Sequence, residues 1–316
     1  MSLGLRREPV KGKENETMSE TSHRDSTTAQ TSESFASTAS TSGAARIIDP
    51  HVHVYKHDPA FPWAPETTNP PSGDATPEML LELMAANGVE KTVLVQHIAY
   101  RWDNSYTAFA MKKHPDRLMA VCRVNPEDPG APDHLSRLTE DGFHGVRLSP
   151  AVDASGDWFR GPLMDPLFQR AADLGVPMLI LAKPDRLPDL AALVERHPDL
   201  DVVIDHMADC PPDRPDQIGK LLDLARLPRV YVKISHTWSL SRERYPWGDT
   251  HDLVERVYQA FGARRIMWST DWPVCLRHAA YAQTLAVVRD EMRFLGAADR
   301  EWVLGRTALQ LWPFDR

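Results

Sequence analysis

Three histidines and one aspartate stand out for the company they keep. In Asp49-Pro50-His51-Val52-His53, two imidazoles sit at i and i+2, which in a strand point to the same side. Ile204-Asp205-His206 and Ser269-Thr270-Asp271-Trp272-Pro273 each place a reactive group at the end of a short apolar run. Three imidazoles and a carboxylate can bind a borderline divalent metal or orient a water directly. Asp271 is the natural base, since a carboxylate beside such a water can accept its proton. Each fragment alone is ambiguous: an isolated HxH is often a satisfied polar pair, and a lone Asp after a strand commonly caps a helix. Placed together at the ends of three strands, they read as a site.

A second set of residues suits substrate binding. Arg147 is the leading candidate for gripping an anionic group, because guanidinium matches carboxylate with two parallel hydrogen bonds. Arg123 and Arg101 are weaker candidates, and a structural ion pair is preferred for Arg101. Gln96 and Tyr100 follow the second strand and could hydrogen-bond a polar substrate. Lys233 lies inside the seventh strand, where an unpaired ammonium is costly, so it should reach a carboxylate or the site. It then either polarises the scissile carbonyl or forms a buried structural pair. Lys183 either binds substrate or is solvated above the barrel. His114 and His197 precede Pro-Asp at helix ends and suit capping or surface roles, while His57, His97, His134, His251 and His278 read as structural or surface. Aromatic residues crowd the loops, among them Trp63, Trp102, Trp158, Trp238 and Trp247, which suits a cyclic or aromatic substrate. The proline-rich segment 55–75 is a candidate lid.

What must position these groups is a series of alternating elements. Strands are expected at 46–54, 91–96, 118–124, 144–149, 177–183, 201–206, 230–235 and 265–270, from short length, β-branched content and near-continuous apolarity. Helices are expected at 77–87, 103–114, 132–141, 165–174, 187–197, 216–225, 250–261 and 278–291, several ended by Asn87-Gly88, Gly175 or a His-Pro pair. Eight strands each followed by a helix is the count of a (β/α)₈ TIM barrel of the α/β class. A glycine-rich first turn, as in a doubly wound sheet, is missing. A further helix, 297–310, should pack outside the barrel.

Composition narrows the class. The 316 residues carry 42% apolar and 25% charged side chains, the profile of a globular protein. A net charge of −8 argues against nucleic acid or anionic membrane as partner, and leaves a small-molecule substrate. A homo-oligomer is compatible with all of this. Cys122, Cys210 and Cys275 are too scattered for a disulfide framework, which fits a reducing, cytoplasmic setting. Residues 18–45 are dominated by Ser, Thr, Ala and Glu, and 1–45 are expected to be a disordered tail, so the barrel spans 46–316.

DPHVH at 49–53, VVIDH at 202–206 and MWSTDWP at 267–273 together resemble the amidohydrolase superfamily. Specifically, they are similar to the amidohydrolase-related branch containing sugar lactonases and pyrone-dicarboxylate lactonase. VLVQ at 93–96, Asp103-Asn104, GVRLSP at 145–150 and YVKIS at 231–235 fit as well. The resemblance implies a central site of His51, His53, His206 and Asp271, with Asp271 activating the hydrolytic water and His206 beside it. Three nitrogen ligands with one carboxylate suit one divalent ion, zinc or manganese, at His51, His53, His206 and Asp271. Many relatives carry another metal-binding His at the end of the fifth strand, where this chain reads Met178-Leu179-Ile180-Leu181-Ala182-Lys183. The departure opens a metal-free route, in which the histidines themselves orient water. The expected function is opening of a lactone or related cyclic ester, carboxylated or aromatic-derived. The rivals are an amide substrate, metal-dependent decarboxylation of an aromatic acid, and a non-enzymatic binding barrel. His51 in place of the Glu common in decarboxylases weighs against the second of these.

Overall fold

Runs of Val, Ile and Leu covered on both faces form the strands, and the polar residues at their ends mark where pairing stops. A computed structural model describes residues 46–149 and 158–314. Its strands are β1 (Ile48–Val52), β2 (Lys91–Val95), β3 (Leu118–Val121), β4 (Val146–Leu148), β5 (Met178–Ile180), β6 (Val202–Ile204), β7 (Val230–Lys233) and β8 (Ile266–Met267). All neighbours are parallel, β1-β2-β3 in one run and β4 through β8 in another. Two pairs of backbone hydrogen bonds join the runs. Cys122 N donates to Gly145 O and Arg147 N to Cys122 O, at 2.9 and 2.8 Å. At the other seam Asp271 N donates to His51 O and His53 N to Trp272 O, at 3.0 and 2.7 Å. The sheet thus closes into the expected eight-stranded barrel. Its strands are shorter than the apolar runs suggest, because the last residues of each run leave the ladder to form the mouth.

The helices that cover the barrel begin and end at their sequence signals. Pro77–Asn87 starts on Thr76, whose side chain accepts from Met79 N, and stops at Gly88 with φ of 69°. Met164–Leu174 stops at Gly175 in the same left-handed conformation. Each helix buries one stripe against the strands, as with Leu190 and Val194 in Leu187–Arg196, or Leu253 and Val257 in His251–Phe261. The expected helix 278–291 is Tyr281–Ala286 running on into a wider π turn, Val287–Glu291.

The C-terminal segment corrects one expectation. Ala297–Glu301, Trp302–Arg306 and Thr307–Leu311 follow one another, but the end of the chain does not stay outside the barrel. Ala308 and Trp312 join the interior cluster of Ile48, Val93, Val121, Leu179, Val203 and Met267. Trp312 is fully buried, donates from its indole to His144 O, and so closes the N-terminal end of the barrel. The segment passes so close to β1 that a Cβ on Gly305 would lie 2.0 Å from Arg46 O. Only glycine allows that approach.

All three cysteines are free and buried. Among the described residues no helix is long and apolar enough to cross a membrane. The segment 1–45 and Pro150 lie outside the described residues.

Candidate active site

At the C-terminal end of the barrel the side chains singled out by type converge, and β1 shows how. Ile48 faces the interior, so strict alternation would turn His51 outward. An irregularity in the β1–β2 register between Asp49 and Val52 breaks the parity. His51 and His53 therefore both approach Asp271 Oδ1, with their Nε2 atoms 3.6 and 3.1 Å away. His53 Nδ1 pairs with Val95 O at 2.7 Å, which as an N–H donor leaves Nε2 with the lone pair. Asp49 points the other way and accepts from Thr270 N, Thr270 Oγ1, Tyr281 Oη and His51 N, pinning β1 to the turn after β8.

β6 and β8 present their groups from unusual backbone. Four consecutive residues after β6, His206 to Asp209, have φ between 49° and 56°. Asp271 is left-handed too, at 56°. For non-glycine residues each such position costs roughly 1–2 kcal/mol, so the fold holds this turn against its own preference. His206 Nδ1 lies 2.7 Å from Ser235 Oγ, and its ring centroid is 4.6 Å from that of His51.

Beneath the imidazoles sits a buried charged layer. Asp205, fully buried, is bound by Lys233 Nζ at 3.0 Å, His51 Nδ1 at 3.2 Å and Arg147 Nε at 3.0 Å. Lys233 is likewise fully buried. Desolvation pushes the Asp205 carboxyl upward, yet Lys233, His51 and Arg147 outweigh it and hold the group well below the usual range. Desolvation, then the Lys233 charge, lowers His51 to about 3, so its ring is neutral.

Several binding candidates turn out to be occupied. Lys233 Nζ and Arg147 Nε both bind the buried Asp205 carboxylate. Gln96 is fully buried; its amide nitrogen donates to Asp103 O and its oxygen accepts from Thr107 Oγ1. Tyr100 bridges Lys56 N and O and stacks on Trp63. Both sets of contacts tie down the loops beside the site. Arg123 is buried, donates to Ser149 Oγ and lies over Trp102. Lys183 is exposed at the start of the turn Pro184–Arg186.

Two residues beside the candidate site escape the sequence reading. His97, read as structural, lies with its ring 5.3 Å from His53 and lines a cavity of about 820 Å³ together with Tyr55, Arg101, Pro273 and Arg277. The loop 66–74 forms the far wall of that cavity, consistent with a lid. His236, not singled out at all, hydrogen-bonds Asp271 Oδ2 at 2.8 Å and stacks on His206 at 3.6 Å. Its signal was available: it follows YVKIS directly, as His206 follows VVID.

The residues fit a divalent ion. His51 Nε2 and Asp271 Oδ1 are buried polar atoms without a hydrogen-bond partner, and ligation would satisfy both. Donor atoms of His51, His53 and Asp271 lie within 4.8 Å of one another. His206 does not complete that set; it groups with His51 and Asp205, or with His236 and Asp271. The His51 tautomer matters here. A proton on Nδ1 donated to Asp205 leaves the Nε2 lone pair free for an ion. Lys233 Nζ, 2.9 Å from Nδ1, competes for that nitrogen.

The Amidohydrolase family pattern matches residues 48–314. The chain is 29% identical over 279 residues to L-fucono-1,5-lactonase of Burkholderia ambifaria, covering 85% of this chain and 96% of that enzyme. It is 28% identical over 239 residues to 4-sulfomuconolactone hydrolase of Hydrogenophaga intermedia, covering 74% and 75%. A crystal structure of an amidohydrolase from Burkholderia multivorans with bound zinc is 26% identical and superposes with a TM-score of 0.69, over 85% of this chain and 99% of that one. With its barrel, its histidine pair on β1 and its aspartate after β8, the chain belongs to the amidohydrolase family, in its lactonase-like branch, and is a hydrolase.

Proposed function

We propose that the protein opens a lactone or related cyclic ester, with Asp271 as the general base. The observation that carries this reading is Asp271 itself. One of its oxygens is bound by His236, while Oδ1 is buried without a hydrogen-bond partner and faces His51 and His53. A carboxylate oxygen held ready in this way suits a water that must lose a proton. Desolvation raises the Asp271 carboxyl, but the His206 ring and the hydrogen bond from His236 hold it well below the usual range. It is therefore ionised at neutral pH. In the reaction Oδ1 takes a proton from water as the water oxygen attacks the lactone carbonyl. The ring C–O bond then breaks, and Asp271 returns the proton to the leaving alkoxide.

His51, His53 and Asp271 would hold a zinc or manganese ion, which when bound supplies a Lewis acid that acidifies water and polarises the carbonyl. His206 completes the wall of imidazoles beside the base. The cavity next to His97, with Arg101 and Arg277 on its rim, accommodates a small ring bearing a carboxylate or other anionic group. Three free buried cysteines suit a reducing compartment such as the cytoplasm.

The test is metal analysis of purified protein combined with a screen of sugar lactones, muconolactones, amides and aromatic acids. Ring opening at constant carbon number supports the proposal. Release of carbon dioxide would replace it with decarboxylation, and turnover of amides alone with amide hydrolysis. Chelation should abolish activity, and zinc or manganese should restore it. Full activity in demonstrably metal-free protein would leave the histidines to orient water and stabilise the oxyanion unaided.

A further inference from the structure

His236 sits at the end of β7 in left-handed backbone, φ 66°. Of the non-glycine residues with positive φ, most of the others lie at the same mouth: His206 to Asp209, and Asp271. A β-carbon in that conformation is disfavoured, and such positions persist where the surroundings over-determine them. What over-determines His236 is visible. Its Nδ1 lies 2.7 Å from Asp209 Oδ1 and its Nε2 lies 2.8 Å from Asp271 Oδ2. A carboxylate can only accept, so both ring nitrogens donate and neither keeps a lone pair.

That arrangement separates His236 from the metal-ligating candidates around it. Its ring is parallel to that of His206, at 4° and 3.6 Å between centroids. Imidazole lone pairs lie in the ring plane, and parallel planes do not meet, so the two rings cannot aim at one ion. His236 is oriented instead toward the oxygen of Asp271 that the water does not need. We infer that His236, anchored by Asp209, is a positioning residue that fixes the Asp271 carboxylate, tying down Oδ2 so that Oδ1 is presented to water between His51 and His53.

The division between the two oxygens is the central point. A free carboxylate on a single-bonded side chain turns about its last torsion, and either oxygen can then face the water. With Oδ2 held by a charged donor, rotation breaks a short, charge-assisted bond. The anchor at Asp209 is 45% exposed, whereas Asp271 is 4% exposed, so the chain of contacts runs from solvent inward to the base. This inference rests on the reading of Asp271 as the base.

The variants that test it are His236→Gly, His236→Asn and Asp209→Asn in the full-length enzyme. Glycine accepts the left-handed backbone, and asparagine tolerates it while keeping an amide donor, so both variants should fold, with Tm lowered by loss of the buried contact to Asp271 and assays run well below it. His236→Gly should lower kcat by about 100-fold, the order seen when one preorganised donor is lost, with KM changed less than about threefold. The ring is only 12% exposed but not sealed, so millimolar imidazole should restore about tenfold in His236→Gly. It should do nothing for wild type or for Asp271→Asn. His236→Asn should fall between wild type and the glycine variant, and Asp209→Asn should lose about tenfold in kcat. A kcat within threefold of wild type in His236→Gly, or a loss confined to KM, would overturn the inference. A crystallographic arm is independent of any assay: the Asp271 carboxylate should rotate in His236→Gly and hold its plane in wild type. An unmoved carboxylate would likewise overturn the positioning role. If wild type opens no lactone at all, the proposed function fails, and the carboxylate orientation still decides the role of His236.

Discussion

Asp271 shows how much a single side chain depends on which of its atoms is occupied. Replacing it by asparagine keeps the shape and removes only the capacity to take a proton. Asp271→Asn is therefore expected to lower kcat by at least about 1,000-fold while substrate affinity and the folded state persist. A variant retaining near-wild-type kcat would remove Asp271 from the mechanism. Arg147 makes the opposite case. Its residue type suggests a grip on an anionic substrate, but its Nε is 3.0 Å from a fully buried Asp205. Arg147→Met leaves that carboxylate with Lys233 as its remaining full cation. Breaking a buried pair from one side costs about 3 kcal/mol. The expected result is a clear drop in the urea midpoint and a smaller change in KM; unchanged stability with a raised KM would return Arg147 to the substrate.

At the scale of elements, β1 is both a strand and a clamp. Asp49, inside it, is fully buried, and desolvation raises its carboxyl to about 6 despite four hydrogen bonds. A carboxyl raised on folding favours the protonated form. Its contribution is fully present below the unfolded value of 3.8 and is lost as pH rises through about 6. The difference amounts to roughly 3 kcal/mol. Stability measured in urea from pH 4 to pH 7 should therefore fall in wild type relative to Asp49→Asn. A difference that does not change with pH would mean that the four donors fully support the charge. Gly305 is the other tight point, where the C-terminal helix crosses the start of β1. Gly305→Ala forces a methyl group against a carbonyl that cannot yield without moving β1, and a loss of about 3 kcal/mol is expected in the same urea measurement. Little change would show that the helix slides freely.

The elements themselves were legible because their signals are local. Thr76-Pro77 and Asn87-Gly88 bracket a helix that forms between those residues, and eight apolar runs became eight strands. His51, His53, His206 and Asp271 could be found because each ends such a run. The irregularity in β1 was not legible, since nothing in DPHVH marks an extra residue; it follows from pairing with β2. Nor were the partners of Gln96, Tyr100 and Lys233. Each is polar near a strand end, as a binding residue would be, and its contact with Thr107, Lys56 or Asp205 is visible only in space. At β7 the buried lysine dominates the local signal, because its burial demands a partner, and it masks the histidine three residues on.

Across the whole molecule, the barrel is filled by different means at its two ends. The C-terminal mouth is packed with titratable groups, and the opposite end is shut by Trp312, whose ring lies 5.7 Å from the Lys233 ammonium. Trp312→Ala removes a fully buried indole from beneath that charged layer. A loss of about 4 kcal/mol is expected, within the range for large-to-small core changes. Water reaching Lys233 should also disturb activity, although the site is not touched. Unchanged thermal stability would mean that the tail of the chain is only a cover.

The seam between the first and last strands has a consequence of its own. Its two hydrogen bonds run from Asp271 N to His51 O and from His53 N to Trp272 O, so the residues that close the cylinder are the residues proposed to perform the chemistry. The side-chain tie that reinforces this seam is the Asp49 carboxylate, which accepts from Thr270 and Tyr281. A brief parting of the first and last strands, too small to disturb the helices, would silence the enzyme while its circular dichroism stayed native. Deuterium uptake at the amides of His53 and Asp271 should therefore keep pace with heat inactivation, and both should run ahead of unfolding.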